Sequence, residues 1–115
     1  MSKWIEYKNV EIFEVHKKLD TIFDDYLFKM RIPKEGSVFS DYEEFSISNS
    51  DISEKINSVI NGSDPISYMS HGMSDIDFYK TANNKFAFTV SPHDGLNIQY
   101  VLDKDSVKKL QRVFK

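Results

Sequence analysis

The chain has 115 residues, a net charge of −3, 40% hydrophobic and 29% charged residues, and no cysteine. This length predicts one domain, residues 1–115, and the ordinary hydrophobic content predicts a packed core instead of disorder. The missing cysteines exclude a disulfide scaffold, a cysteine-based zinc site and a cysteine nucleophile, and they favour a reducing compartment. Because no apolar run reaches signal-peptide or membrane-span length, we expect a soluble, cytoplasmic protein.

Charge is distributed unevenly along the chain. Residues 1–35 carry equal numbers of acidic and basic side chains. Residues 36–79 carry eight acidic residues against Lys55 alone, which gives a net charge of −7. Residues 80–115 carry seven basic residues against three acidic ones, which gives +4. This asymmetry is the most informative electrostatic feature of the sequence.

The first periodic signal lies in the N-terminal third. Apolar residues recur there at three- and four-residue steps: Ile12, Val15, Leu19, Ile22 or Phe23, Tyr26 or Leu27, and Met30. Such steps form one apolar face of a helix. We therefore predict one long helix over about residues 10–31, with Asn9 as its N-cap and Pro33 beyond its end.

Shorter elements are predicted further along the chain. Residues 42–48 predict a strand, and residues 52–61 predict a helix that stops at Gly62. Asp51 and Glu54 have capping-box spacing at the start of this helix.

Apolar and polar residues alternate in the C-terminal half, which indicates an antiparallel meander with a tight turn at Asn83-Asn84. Asp103 or Asp105 is predicted to cap a final helix. The predicted fold class is α+β, a mostly antiparallel sheet (the C-terminal meander) with one long N-terminal helix and two shorter helices.

Asp75 and Asp77 are the sharpest candidates for an active site. On a strand, both carboxylates would point to one face, close enough to share a cation, and His71 or His93 could complete a metal or acid–base cluster. The same alternation is also typical of the solvent face of a half-buried strand. A metal-dependent enzyme built on these four residues is the alternative function.

Sequence signatures of catalysis and of phosphate binding are absent. The chain has no GxGxxG, P-loop, GxSxG or HExxH motif, and its four glycines do not cluster. We therefore expect a protein that is not an enzyme and needs no cofactor.

The last predicted helix carries a basic side formed by Lys104, Lys108, Lys109, Arg112 and Lys115. Base readout favours arginine, and the chain has only two. Cations near the end of a helix also complement its dipole. The sequence therefore disfavours nucleic acid as the partner.

The acidic segment 36–79 predicts a partner-binding surface, although an ordinary solvated surface explains the same charges. Acidic side chains would steer a basic protein toward the surface, and aromatic side chains would anchor it. The predicted partner-binding residues are Asp41, Tyr42, Glu43, Glu44, Phe45, Tyr68, Asp75 and Asp77.

Residues 96–107, LNIQYVLDKDSV, predict a strand, an acidic turn and a helix. Together with the small size, the missing cysteines, the missing catalytic motifs and the acidic segment, this ending resembles the small immunity proteins of bacterial toxin–immunity systems. The resemblance implies a cytosolic protein that binds and blocks one cognate toxin, often by covering a basic active site, and it assigns no particular residue.

The leading hypothesis is therefore an immunity protein that neutralises a basic, nuclease-type toxin through the acidic surface. An inhibitor of a host defence nuclease, encoded by a phage, would have the same sequence features.

Overall fold

The computed structural model of the protein describes residues 3–17, 25–33, 41–48, 51–71, 74–92 and 96–114. For residues 3, 41, 42, 71, 92 and 96 it describes the backbone alone.

The described chain contains seven strands and two helices. They follow one another as β1 (Lys3–Lys17), β2 (Asp25–Ile32), β3 (Asp41–Ser48), α1 (Ile52–Ile60), β4 (Ile66–His71), β5 (Ser74–Lys80), β6 (Phe86–Pro92), β7 (Leu96–Leu102) and α2 (Lys104–Val113). The strands form one sheet in the order β3-β2-β1-β7-β6-β5-β4. Neighbouring strands are antiparallel except β1 and β7, which are parallel. The long strand β1 joins the two halves of the sheet, because its first half pairs with β7 and its second half with β2.

The sheet is strongly curled. β3 and β4 are its opposite edges, yet these two strands contact each other. Aromatic rings from both halves fill the concave side. The ring of Phe45 on β3 lies 5.2 Å from that of Phe88 on β6 and 5.8 Å from that of Tyr100 on β7, measured between centroids. The core therefore lies inside the curl, where rings from distant strands pack on one another.

The predicted long N-terminal helix is wrong, and so is the α+β class that depends on it. The described residues between 10 and 31 belong to β1 and β2, and the fold is mostly sheet with two short helices. Asn9, the predicted N-cap, lies inside β1 with a φ of 55°.

A β-bulge explains why β1 resembles a helix in its sequence. The register between β1 and β2 shifts after Ile12, so that Ile12 lies opposite Met30 while Val15 lies opposite Phe28. The extra residue changes the two-residue spacing of a strand into a three-residue step, which is also the spacing of a helix face. β2 alternates regularly, and it buries every second side chain from position 28 to position 32.

The structure confirms the other predicted elements. α1, the strands of the C-terminal meander and α2 form close to their predicted positions. Gly62, with a φ of 88°, follows α1, and Asn84, with a φ of 60°, lies in the turn between β5 and β6. The carboxylate of Asp103 caps α2 by accepting a hydrogen bond from the backbone N of Ser106 at 2.8 Å. Asp51 occupies the N-cap position of α1, but its side chain makes no capping hydrogen bond.

The two helices attach to different parts of the sheet. α1 buries Ile52, Ile56 and Val59 and packs against β4 and β5. α2 packs against β1, where the Ser106 hydroxyl accepts a hydrogen bond from the backbone N of Ile12 at 2.7 Å. Neither of the helices in the described ranges combines the length and the apolar character that crossing a membrane requires.

Candidate protein-binding surface

Three of the predicted partner-binding residues lie together on the outer face of the sheet, at β4 and β5. Ile76 and Phe78 of β5 are buried, so the alternation of the strand directs Asp75 and Asp77 outward. Tyr68 of β4 lies directly opposite Asp77 in the antiparallel pair. The Tyr68 side chain is 65% exposed, which makes it one of the most exposed large hydrophobic residues that the structure describes.

The carboxyl group of Asp77 is affected by burial and by its neighbour on β5. Partial burial raises the pKa of Asp77 above its usual value, and the neighbouring charge of Asp75 raises it further. A cationic side chain that approached both carboxylates would relieve this repulsion. The pair is therefore suited to meet a lysine or an arginine.

A groove of about 300 Å³ lies between α1 and β4. Three carboxylate residues and one lysine line this groove, namely Asp51, Glu54, Asp64 and Lys55, so its charge is acidic on balance. Tyr68 lines it as well, so this residue adjoins both the groove and Asp77 of β5. We call the groove carboxylates, Tyr68 and the aspartates of β5 the acidic surface; its residues are Asp51, Glu54, Asp64, Tyr68, Asp75 and Asp77.

A hydrogen bond between α1 and β4 fixes the shape of the groove. The buried Ser67 of β4 donates its hydroxyl to the backbone O of Lys55 at 2.8 Å, and Ser58 donates to the same oxygen from within α1 at 2.9 Å. The Ser67 bond holds the helix against the edge strand, so the groove is formed before any partner binds. The three groove carboxylates were absent from the predicted set, although the net charge of the segment was a signal for them.

Two other predicted residues are engaged inside the fold. Glu43 accepts a hydrogen bond from the hydroxyl of Tyr100 at 2.5 Å, and Phe45 stacks on Phe28 with 5.1 Å between ring centroids. Strict alternation along β3 places both on the concave side of the sheet, together with the buried Ile47. The structure therefore separates these two residues from the acidic surface.

The remaining predicted residues lie along β3. Glu44 is exposed, and its strand contacts β4 at the seam where the curled sheet approaches closure. Asp41 and Tyr42 begin β3, but their side chains lie outside the described part of the structure.

The alternative metal cluster is described in part. Asp75 and Asp77 share a face, and the backbone of His71 ends β4, whereas the His71 side chain and the whole of His93 lie outside the described residues. Among the described side chains, no three histidine, aspartate or glutamate residues are grouped closely enough to hold a metal ion.

One of the basic residues of α2 is engaged by the fold. Lys109 donates its Nζ to a backbone carbonyl of β1 at 2.9 Å, which ties this lysine to the fold. Lys104, Lys108 and Arg112 are exposed, and Lys115 lies outside the described residues.

Comparisons with known proteins add no family to this description. No family model matches the chain, and neither the curated proteins nor the solved structures gave a significant match.

Proposed function

We propose that this protein binds a basic protein partner through the acidic surface. The observation that carries the proposal is the exposed residue Tyr68, which lies opposite Asp77 of β5 and also lines the groove with its three carboxylate residues.

An exposed aromatic residue close to carboxylates has the properties of an anchor in a protein interface. Tyrosine is enriched among the residues that contribute most of the binding energy, because its ring buries a large area with few rotatable bonds. Complementary charges around such an anchor speed association and select the partner. The aspartates of β5 and the carboxylates of the groove can therefore contact lysine or arginine side chains of the partner while the Tyr68 ring becomes buried in the interface.

The partner class that we propose is a basic, nuclease-type toxin, which the protein would neutralise as an immunity protein. Such an enzyme presents a basic surface to its phosphate substrate. An acidic surface that covers it competes directly with nucleic acid. Inhibition of a host defence nuclease by a phage protein would use the same chemistry.

Affinity capture from the native host tests the proposal. The tagged chain and its Asp75→Lys/Asp77→Lys variant would be used in parallel at low and moderate salt, with mass spectrometry of the bound proteins. The control is Glu6→Lys/Asp105→Lys, which changes the net charge equally at two exposed positions outside the acidic surface.

We expect the wild-type chain and the control to retain one stoichiometric basic protein. The β5 variant should bind it about a hundredfold more weakly at low salt, because charge reversal replaces attraction by repulsion. Equal retention by the β5 variant and the wild type would overturn the assignment of the surface. Recovery of the tagged chain alone would overturn the proposed function.

A further inference from the structure

A cavity of about 680 Å³ opens at a place that the acidic surface does not reach. It lies between the turn that joins β5 to β6, the left-handed residue Asn9 of β1 and the first two turns of α2. Cavities of roughly 300–1,000 Å³ are typical of small-molecule sites. The volume therefore suits an organic molecule of one or two rings.

The inner wall of this cavity is apolar. Phe86 of β6, Leu102 of β7 and Val107 of α2 line it. Leu102 is buried, and Phe86 stacks on Phe78 with 5.8 Å between ring centroids, so the wall continues the core. An apolar ligand body would extend the packing of the core at this point.

The rim of the cavity is cationic. Lys85, Lys104 and Lys108 all line it, and they come from two different elements. Of the described residues, Asp103 is the one acidic residue that lines it, and its carboxylate is already bonded to the backbone N of Ser106. Among the described residues, the structure has no salt bridge between these three lysines and a carboxylate. An anionic group at the rim would therefore meet several ammonium groups that form no salt bridge with a described carboxylate of the protein.

The turn that carries Lys85 is well formed. The backbone N of Thr81 donates to the backbone O of Lys85 at 2.7 Å, and the backbone N of Asn84 donates to the backbone O of Thr81 at 3.1 Å. Asn84 and Asn9 both line the cavity, and they are the two described non-glycine residues with a positive φ. Residues in such conformations cluster at ligand sites, where the surrounding structure holds them.

We propose that this cavity binds a small organic anion, namely a compact apolar body that carries one carboxylate, sulfonate or phosphate group. The apolar body lies against Phe86, Leu102 and Val107, and the anionic group meets the lysines at the rim. The site is separate from the acidic surface and does not depend on the proposed protein partner.

The probe for this site is 8-anilinonaphthalene-1-sulfonate, an aromatic body with one sulfonate. Its uncharged analogue, N-phenyl-1-naphthylamine, has the same rings without the anion. Calorimetric titration of the full chain measures affinity, and amide NMR spectra of the labelled chain locate the site. The two variants are Lys104→Gln/Lys108→Gln and the charge-matched control Lys55→Gln/Arg112→Gln, whose positions lie outside the cavity lining.

We expect saturable 1:1 binding of the sulfonate, with amide shifts concentrated at Asn84, Lys85 and Val107. Removing the two rim lysines should weaken binding about tenfold, because each partly exposed charge pair contributes modestly. The uncharged analogue should bind about tenfold more weakly for the same reason. The control should stay within about twofold of the wild type, because its charges lie outside the lining.

Several results would overturn the proposal. They are the absence of saturable binding, shifts confined to other parts of the sheet, equal affinity of the two probes, and an equal loss in the control variant. Val107→Trp keeps the lysines and fills the cavity, so undiminished binding to that variant, confirmed as folded by its spectrum, would also contradict it. Asp75→Lys/Asp77→Lys should leave probe binding unchanged, which separates this test from that of the protein partner.

Discussion

The hydroxyl of Ser106 connects α2 to the point where β1 changes its neighbour in the sheet. Val10 is the last residue of β1 that pairs with β7, and pairing with β2 begins at Glu11. Ser106 Oγ accepts a hydrogen bond from the backbone N of Ile12 at 2.7 Å and lies 3.4 Å from the backbone O of Val10. Ser106 is only 1% exposed, so water cannot replace these hydrogen bonds.

Ser106→Ala should lower the free energy of unfolding by about 1–3 kcal/mol, because the buried backbone N of Ile12 loses its acceptor. Urea unfolding followed by circular dichroism measures this change. Ser63→Ala is the matched control, since Ser63 is exposed and donates only its backbone N to the side chain of Asn61. A Ser106→Ala protein as stable as the control would contradict this role of the hydroxyl.

The phenol of Tyr100 is held in its neutral form. Burial raises its pKa, and the hydrogen bond to Glu43 raises it further. The folded chain therefore keeps a proton that the unfolded chain releases above about pH 10. The stabilisation is complete below that pH and is lost as the pH rises through the range between the unfolded and the folded pKa.

Tyr100→Phe should remove part of the alkaline loss of stability. The variant should be less stable than the wild type at pH 8, because Glu43 loses its hydrogen-bond donor. Above about pH 10 its free energy of unfolding should fall less steeply with pH than that of the wild type. Tyr68→Phe controls for the removal of a phenol at the surface, and an equally steep fall in Tyr100→Phe would refute the assignment.

Among the elements, α2 depends most clearly on one capping residue. Two aspartates begin it in sequence, and the structure assigns the cap to Asp103, with Asp105 exposed in the first turn. Asp103→Ala should therefore destabilise the protein by about 1 kcal/mol. Asp105→Ala loses only a favourable interaction with the helix dipole, about 0.3–1 kcal/mol at low salt. Chemical unfolding at high salt screens the second effect more than the first, and the reverse order of destabilisation would assign the cap to Asp105.

The elements that were predicted correctly have regular patterns. β6 and β7 carry large apolar residues at every second position, and each short helix carries both an apolar stripe and a start or stop residue such as Asp103 or Gly62. β1 was mistaken for a helix because its bulge after Ile12 imitates a helical step. β2 alternates at Phe28, Met30 and Ile32, but the prediction assigned most of this short strand pattern to the longer helical pattern of residues 10–31.

The candidate site was predictable only in part, for a related reason. Alternation along β5 shows that Asp75 and Asp77 share a face, and local sequence is sufficient for that. Glu43 looks equally acidic in sequence, but its partner Tyr100 is 57 residues away, across a curl that local patterns do not encode. The cavity beside α2 also joins residues from β1, the β5–β6 turn and the chain end, so no single stretch of sequence indicates it.

At the scale of the whole molecule, the uneven charge along the sequence corresponds to two separate places in the fold, the acidic surface and the cavity beside α2. β3, α1, β4 and β5 follow one another in the chain, and β3 contacts β4, so the described elements of the acidic segment adjoin one another. The lysines of the β5–β6 turn and of α2 surround the cavity instead. The two proposed ligands, a basic protein and a small organic anion, would therefore bind at separate surfaces.

The affinity of the purified partner for the Tyr68→Ser variant tests the central claim most directly, with Trp4→Ser as the matched control. Trp4 is the other large aromatic residue exposed by more than half in the described chain, at 61%, and it lies on β1, four strands away from β4. We predict that Tyr68→Ser weakens binding at least about thirtyfold, as loss of an interface anchor does, while Trp4→Ser stays within about threefold. Wild-type affinity of the Tyr68→Ser variant would contradict the proposal that the partner binds at the acidic surface.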